Sequence, residues 1–186
     1  VAMLEEAPAM TNDGPVLVVG GTGMLGGQVV TSLLSRGKRV RALVRPASDA
    51  ARLEQAGVEI ARGDMMDPAS LPPAMDGADA VIHEAAMAGL MRSWTDLDLY
   101  VSCNLLATNR LIEAATRAGI GRFVFASTSS VYGREAVGDE DRALEPASPY
   151  GITKLACEKL VLAHVATSGL PATIIRYFSI YGPRQR

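Results

Sequence analysis

Tyr150 and Lys154 stand four residues apart in the run Ser148-Pro149-Tyr150-Gly151-Ile152-Thr153-Lys154, the spacing that puts two side chains on one face of a helix. An ammonium beside a phenol favours the phenolate, so the phenol becomes a usable proton acceptor near neutral pH. Upstream, Ser127-Thr128-Ser129-Ser130 follows the apolar run Phe123-Val124-Phe125-Ala126. Hydroxyls at the carboxyl end of a central strand point into the crevice, where Thr128 can steady a reacting oxygen as charge builds on it. Near the start, Gly20-Gly21-Thr22-Gly23-Met24-Leu25-Gly26 places glycines at 20, 23 and 26, after an apolar run and before a helical pattern. Gly20 permits a tight turn, Gly23 lets the backbone approach a pyrophosphate, and Gly26 lets the helix pack on the strand. The freed amides at Met24 and Leu25 then face the phosphates. A dinucleotide site beside an acidified phenol can take a proton and a hydride from an alcohol.

These groups need a frame to hold them, and the hydropathy pattern describes one. Residues 16–20, 39–44, 58–61, 80–82, 122–126 and 172–176 read as strands. Helical spacing covers residues 24–36, 96–118 and 149–168, each stopped by a glycine, and a short helix opens near Pro68. Apolar strands alternating with helices imply an α/β fold, a Rossmann-type doubly wound parallel sheet. Its expected strand order is 3-2-1-4-5-6, with helices on both faces and ligands at the carboxyl ends. Residues 1–14 read as a flexible leader and 15–186 as one dinucleotide-binding domain.

Composition narrows the partners. Of 186 residues, 20% are charged and the formal net charge is −2, without a basic stretch, so nucleic acid is not an expected partner. The longest uncharged stretch is broken by the glycine turn, and no membrane segment is expected. The first residues lack the pattern of a signal peptide, and Cys103 and Cys157 read as reduced thiols, so a cytoplasmic setting is expected. His83 and His164 stand alone, and no metal site is expected.

Arg45 follows the second strand where an acidic residue would hold the adenosine ribose of NAD. A guanidinium there suits the 2′-phosphate of NADP, with Arg41 as an assistant; the alternative is a solvated loop residue stacking on adenine. Asp64, after the third strand, is placed to accept from the adenine amino group, with Met65 on the ring; its alternative role is a helix cap.

Taken together, the chain resembles the extended short-chain dehydrogenase/reductase family, in its NAD(P)-dependent sugar-nucleotide epimerase/dehydratase group. The matching residues are the glycine turn at 20–26, Gly63-Asp64, His83-Glu84-Ala85-Ala86, Asn104, Ser127-Thr128 with Val131-Tyr132-Gly133, Tyr150-Gly151 with Lys154, and Arg176-Tyr177-Phe178 with Tyr181-Gly182-Pro183. The resemblance implies that Tyr150 is the base, that Lys154 binds the nicotinamide ribose and lowers the Tyr150 pKa, and that Thr128 orients the substrate hydroxyl. It implies cofactor contacts at Ala85, Ala86, Asn104, Ser127 and Phe178, and a substrate contact at Ser179, where many relatives carry Asn. Glu84 replaces a usually apolar residue, and such a carboxylate is expected to reach solvent or a cation.

The resemblance also implies that the family's C-terminal substrate domain is absent from this chain, and that the helices at 96–118 and 149–168 pair two copies in a homodimer. Family 4,6-dehydratases carry Asp-Glu directly after the active Thr, whereas Ser129 and Ser130 follow here. The look is nearest to UDP-hexose or UDP-uronate 4-epimerases, which act on a nucleotide sugar by transient oxidation at C4. That likeness favours NAD, whereas Arg45 favours NADP. An NADPH-dependent keto-reductase of the same family is the alternative, and a non-catalytic dinucleotide-binding module or inactive fragment a further one.

Overall fold

Alternate residues of the first strand fall into two separate cores, as a sheet covered on both faces requires. The structure is a computed structural model that describes residues 14–182. In β1 (Val16–Val19), Leu17 and Val19 join a core with Val81, Phe123, Phe125 and Leu111, while Val16 and Val18 join one with Val30, Ala42, Val44 and Leu53. The chain continues through α1 (Met24–Ser35), β2 (Val40–Val44), α2 (Ala51–Gln55), β3 (Glu59–Arg62), a 3-10 turn (Pro68–Ser70), α3 (Leu71–Met75) and β4 (Ala80–His83). Then come α4 (Leu97–Tyr100), a π-helical segment (Val101–Leu106), α5 (Ala107–Arg117), β5 (Arg122–Thr128), a 3-10 turn (Ser129–Tyr132), α6 (Pro149–Ser168) and β6 (Ala172–Tyr177).

All six strands are parallel, in the order β3-β2-β1-β4-β5-β6 that the sequence implies. α3, α5 and α6 cover one face, and α1 and α2 the other. α6 has the bounds expected of it, because the signals at its ends are local. Ser148 Oγ accepts the Gly151 N–H at 3.1 Å, Pro149 occupies the first turn, and Gly169 closes the helix in the left-handed region.

Three expectations need correction. The helix expected over 96–118 runs unbroken from Leu97 to Arg117 but is not α-helical throughout, because a π segment widens the backbone at Val101–Leu106. The Asn104 carbonyl in that segment accepts both the Ala107 N–H and the Cys157 thiol, the latter at 3.3 Å. α2 escaped the sequence reading; at five residues it is too short to leave a helical period, and the Asp49 carboxylate receives its Ala51 N–H at 2.9 Å. Gly14, placed in the leader, already belongs to the fold, since its N–H donates to Asp79 Oδ2 at 2.9 Å. Residues 1–13, the rest of that leader, lie outside the described residues, as does the Pro183 of the last matched motif. Among the described residues no helix is long and apolar enough to cross a membrane.

Candidate active site

The turn between β1 and α1 is built by close approach. Gly20 holds φ at +95°, and a Cβ on Gly26 would lie 2.2 Å from the Gly20 carbonyl oxygen. Gly23 caps α1 without a side-chain hydrogen bond, and no acidic residue enters the first turn. The amides of half-buried Met24 and Leu25 therefore open α1 with nothing to compete for an anion. A cavity of about 350 Å³ runs past Gly20 and Gly23. Arg45, Asp64 and Met65 line one side, and Glu84, Ala85 and Ala86 the other. A glycine cradle, free helix amides and a cavity of this size fit a dinucleotide.

Arg45 is exposed at the mouth, just past β2. Arg41 cannot assist it. Its guanidinium is held by Glu59 at 2.7 Å and by the carbonyls of Ala74 and Asp76 at 2.9 and 2.6 Å. Asp64 accepts the Met66 N–H at 2.9 Å, and the cap of the following 3-10 turn is Asp67, not Asp64.

At the other end, the 3-10 turn after β5 meets the first turn of α6. A Cβ on Gly151 would lie 2.7 Å from the Ser130 carbonyl oxygen, so glycine after Tyr150 lets the helix seat against the strand end. That contact sets the Tyr150 phenol near the Thr128 side chain, whose hydroxyl donates to Ser130 Oγ at 3.2 Å. Thr128 Oγ1 also accepts the Ser130 N–H at 3.2 Å, so it caps the turn as well as facing the phenol. Lys154 is buried, with Nζ donating to the Ala126 carbonyl at 2.6 Å and resting 4.1 Å from the centre of the Phe125 ring.

The expected effect of that ammonium on the phenol is not what this geometry produces. Burial pushes the Tyr150 phenol above its ordinary value, and the nearby Thr128 hydroxyl offsets part of the rise. Lys154 is itself lowered to about 8 by burial, against the pull of Cys157, Glu84 and Glu158. Its Nζ donates to the Ala126 carbonyl at the end of β5.

Two residues expected at the cofactor also brace the protein. Ser127 Oγ donates to the buried Glu158 carboxylate at 2.5 Å, because consecutive strand residues face opposite sides and Thr128 takes the crevice side. Arg176 clamps Glu158 at 2.8 Å and donates to the Tyr132 hydroxyl, also at 2.8 Å. Asn104 accepts the Met87 N–H at 2.7 Å and donates to the Met87 carbonyl at 3.1 Å and to Thr153 Oγ1 at 3.4 Å. It thereby ties the loop after β4 to α6, one residue before Lys154. Tyr100, which sequence reasoning missed, helps from full burial: its hydroxyl reaches the carbonyls of Ala88 and Gly89, and its ring meets Tyr150 edge-on at 6.2 Å.

Phe178, expected at the cofactor, stacks on Tyr132 at 6.5 Å and lines a second cavity, of about 430 Å³, with residues of the 136–142 loop. Ser179 is exposed just past β6. Glu84 is half-buried and reaches the open cavity, where its carboxylate accepts the Tyr177 hydroxyl at 3.2 Å. His83, buried at the end of β4, bonds Thr108 at 2.9 Å; burial and then Lys154 lower it to about 3.

A parallel sheet of this order, with a glycine cradle at β1 and a Thr-Tyr-Lys cluster at β5 and α6, defines a dinucleotide-binding domain of the short-chain dehydrogenase/reductase type. Residues 16–186 match the model of the NAD dependent epimerase/dehydratase family, and the chain belongs to that family. It is similar to a dTDP-glucose 4,6-dehydratase of Streptomyces griseus, 36% identical over 91% of this chain and 55% of that one. It is also similar to the uncharacterized UDP-glucose epimerase YtcB of Bacillus subtilis, 44% identical over 63% of this chain and 38% of that protein. Among solved structures, the UDP-glucose 4-epimerase of Thermus thermophilus in complex with NAD superposes with a TM-score of 0.83 at 34% identity, covering 92% of this chain and 57% of that one. The chain thus spans about half the length of these relatives.

Proposed function

We propose that this chain is the dinucleotide-binding part of a nucleotide-sugar 4-epimerase, in which a C4 hydroxyl is transiently oxidised and the ketone reduced from the other face. The observation that carries the reading is the placement of Thr128 at the carboxyl end of β5 near Tyr150 in the first turn of α6, with Lys154 one turn further on, at the same edge of the sheet as the glycine cradle after β1. Gly20, Gly23 and the α1 amides would hold the pyrophosphate, Asp64 and Met65 the adenine, and Ala85 and Ala86 the facing wall. When bound, the dinucleotide supplies the hydride acceptor.

Thr128 holds the substrate hydroxyl, and Tyr150 Oη takes its proton. Lys154 acts once its Nζ leaves the Ala126 carbonyl for the phenol side, where its charge favours the phenolate. Ser129 and Ser130 bring no carboxylate to the turn after Thr128, which favours epimerisation over dehydration. Exposed Leu97, Leu106, Ile152 and Leu162 on the helical pieces around α4 and on α6 support a homodimer through those helices. Free Cys103 and Cys157 agree with a cytoplasmic setting.

The test is to incubate the full-length protein with UDP-glucose and catalytic NAD. UDP-galactose forming without net NADH supports the reading; stoichiometric consumption of NADPH by a keto-sugar supports the reductase instead. Arg45 is the observation that favours that second reading, since its guanidinium is exposed at the adenosine side of the cavity. Arg45→Ala should weaken NADP about tenfold relative to NAD if the guanidinium meets a 2′-phosphate. An unchanged ratio removes the case for NADP.

A further inference from the structure

Two carboxylates line the dinucleotide cavity, and they sit at opposite ends. Asp64 belongs to the adenosine side, after β3. Glu84 comes directly after β4, and its N–H donates to the Val19 carbonyl at 2.8 Å, so it extends the ladder beside β1. In a sheet of this order a dinucleotide crosses the switch between β1 and β4, with its nicotinamide half over β4 and β5. Glu84 therefore belongs to the reacting half. Its carboxylate is fixed by the Tyr177 hydroxyl, which projects from the end of β6. The phenol remains a donor, because burial and then the Glu84 charge push it up to about 12. The charged and titratable groups facing Glu84 are Tyr177 from β6 and Lys154 from α6.

We infer that Glu84 is the counter-charge for the oxidised nicotinamide ring, biasing the bound cofactor towards NAD+ over NADH. The inference rests on the dinucleotide reading above. The two oxidation states differ at that ring by one positive charge. A carboxylate in a partly desolvated wall discriminates between them far better than one in water. Lys154 places a positive charge in the same region and disfavours the oxidised ring; Glu84 opposes it. A catalyst whose cycle begins and ends with oxidised cofactor benefits from that balance, because a tightly held reduced form would leave it idle. Glu84 touches the protein through Tyr177 and acts on the ring through its field, so its role is electrostatic positioning.

The test is to titrate NAD+ and NADH separately onto the chain, its Glu84→Gln variant and its Tyr177→Phe variant, reading affinity by calorimetry. The NADP+ and NADPH pair is run in parallel. Glu84→Gln keeps the shape and can still accept from Tyr177. It should reduce the preference for the oxidised form by about tenfold, mostly through weaker NAD+ binding. In the unaltered chain the preference should fade on acidification, as Glu84 takes up a proton. Tyr177→Phe removes the hydrogen bond that favours the carboxylate, so the fade should begin at higher pH. Equal weakening of both oxidation states, or an unchanged ratio, overturns the inference while leaving the dinucleotide site standing. If the unaltered chain binds neither form, the reading of the site fails and this inference fails with it.

Discussion

The phosphate end of the crevice is made of backbone, and the reacting end of side chains. At the first, the working groups are amides whose positions follow once Gly20 and Gly26 touch; no titratable group has to be in a particular state. At the second, Thr128, Tyr150 and Lys154 each depend on neighbours brought from elsewhere in the chain. Ser127, Glu158 and Arg176 fix the end of β5, and Asn104 fixes the turn of α6 that precedes Lys154. A backbone site is rigid but indifferent to chemistry. A side-chain site can be poised, and here it is held back: burial raises the phenol and lowers the ammonium. The two ends should therefore break differently.

The largest separation is expected for Tyr150→Phe. Removing the proton acceptor should lower the turnover of the full-length protein by about a thousandfold, with dinucleotide affinity changed only severalfold. Equal losses in turnover and affinity would show that the two ends are not separable. Lys154→Met sharpens the contrast by dividing function from stability. It should lower turnover about a hundredfold, yet leave the melting temperature of the ligand-free chain at pH 7 unchanged or higher. Lys154 titrates at about 8 in the fold against 10.5 ordinarily, so the folded chain holds its proton less tightly than the unfolded one. Its charge opposes folding below pH 8, and that opposition fades as pH rises from 8 through 10.5. A clear drop in melting temperature would mean that the Ala126 hydrogen bond outweighs the desolvation.

Gly26→Ala attacks the other end. The added Cβ would collide with the Gly20 carbonyl, which is backbone and cannot rotate aside. Overpacking of this kind costs about 1–3 kcal/mol, measurable by denaturant titration. Because the cradle is indifferent to oxidation state, the variant should weaken NAD+ and NADH by the same factor. A selective loss of one form would mean that the turn carries discrimination that its geometry does not suggest.

The same division explains what was legible in the sequence. The glycine spacing encodes backbone contacts between near neighbours, so the cradle could be read from residues 20–26 alone. Tyr150 and Lys154 lie on one helix, and their shared face followed from spacing. The braces are different. Glu158 and Arg176 lie 18 residues apart on separate elements, and buried charges leave no local signature. The π segment that aims Asn104 has no residue pattern of its own. One signal was present and unused: strand alternation forbids Ser127 and Thr128 from facing the same side.

His83 offers the smallest effect and the cleanest one, because it stands between the two ends at the tip of β4. It titrates at about 3 in the fold against 6.5 ordinarily, so between those values the unfolded chain binds the extra proton and the folded chain does not. Its contribution is present above pH 6.5 and is lost as pH falls towards 3, by about 1.4 kcal/mol for each pH unit in that window. Lys154 adds nothing there, since it is protonated in both states below pH 8. Denaturant titrations at pH 7, 6 and 5 should show the unaltered chain losing stability more steeply than its His83→Gln variant. Parallel slopes would mean that the imidazole accepts a proton in place, through its Nδ1, which has no hydrogen-bond partner in the fold. The reacting end would then carry one more positive charge, against Lys154, in mild acid. That outcome would erase the contrast between an end built for one charge state and an end indifferent to charge.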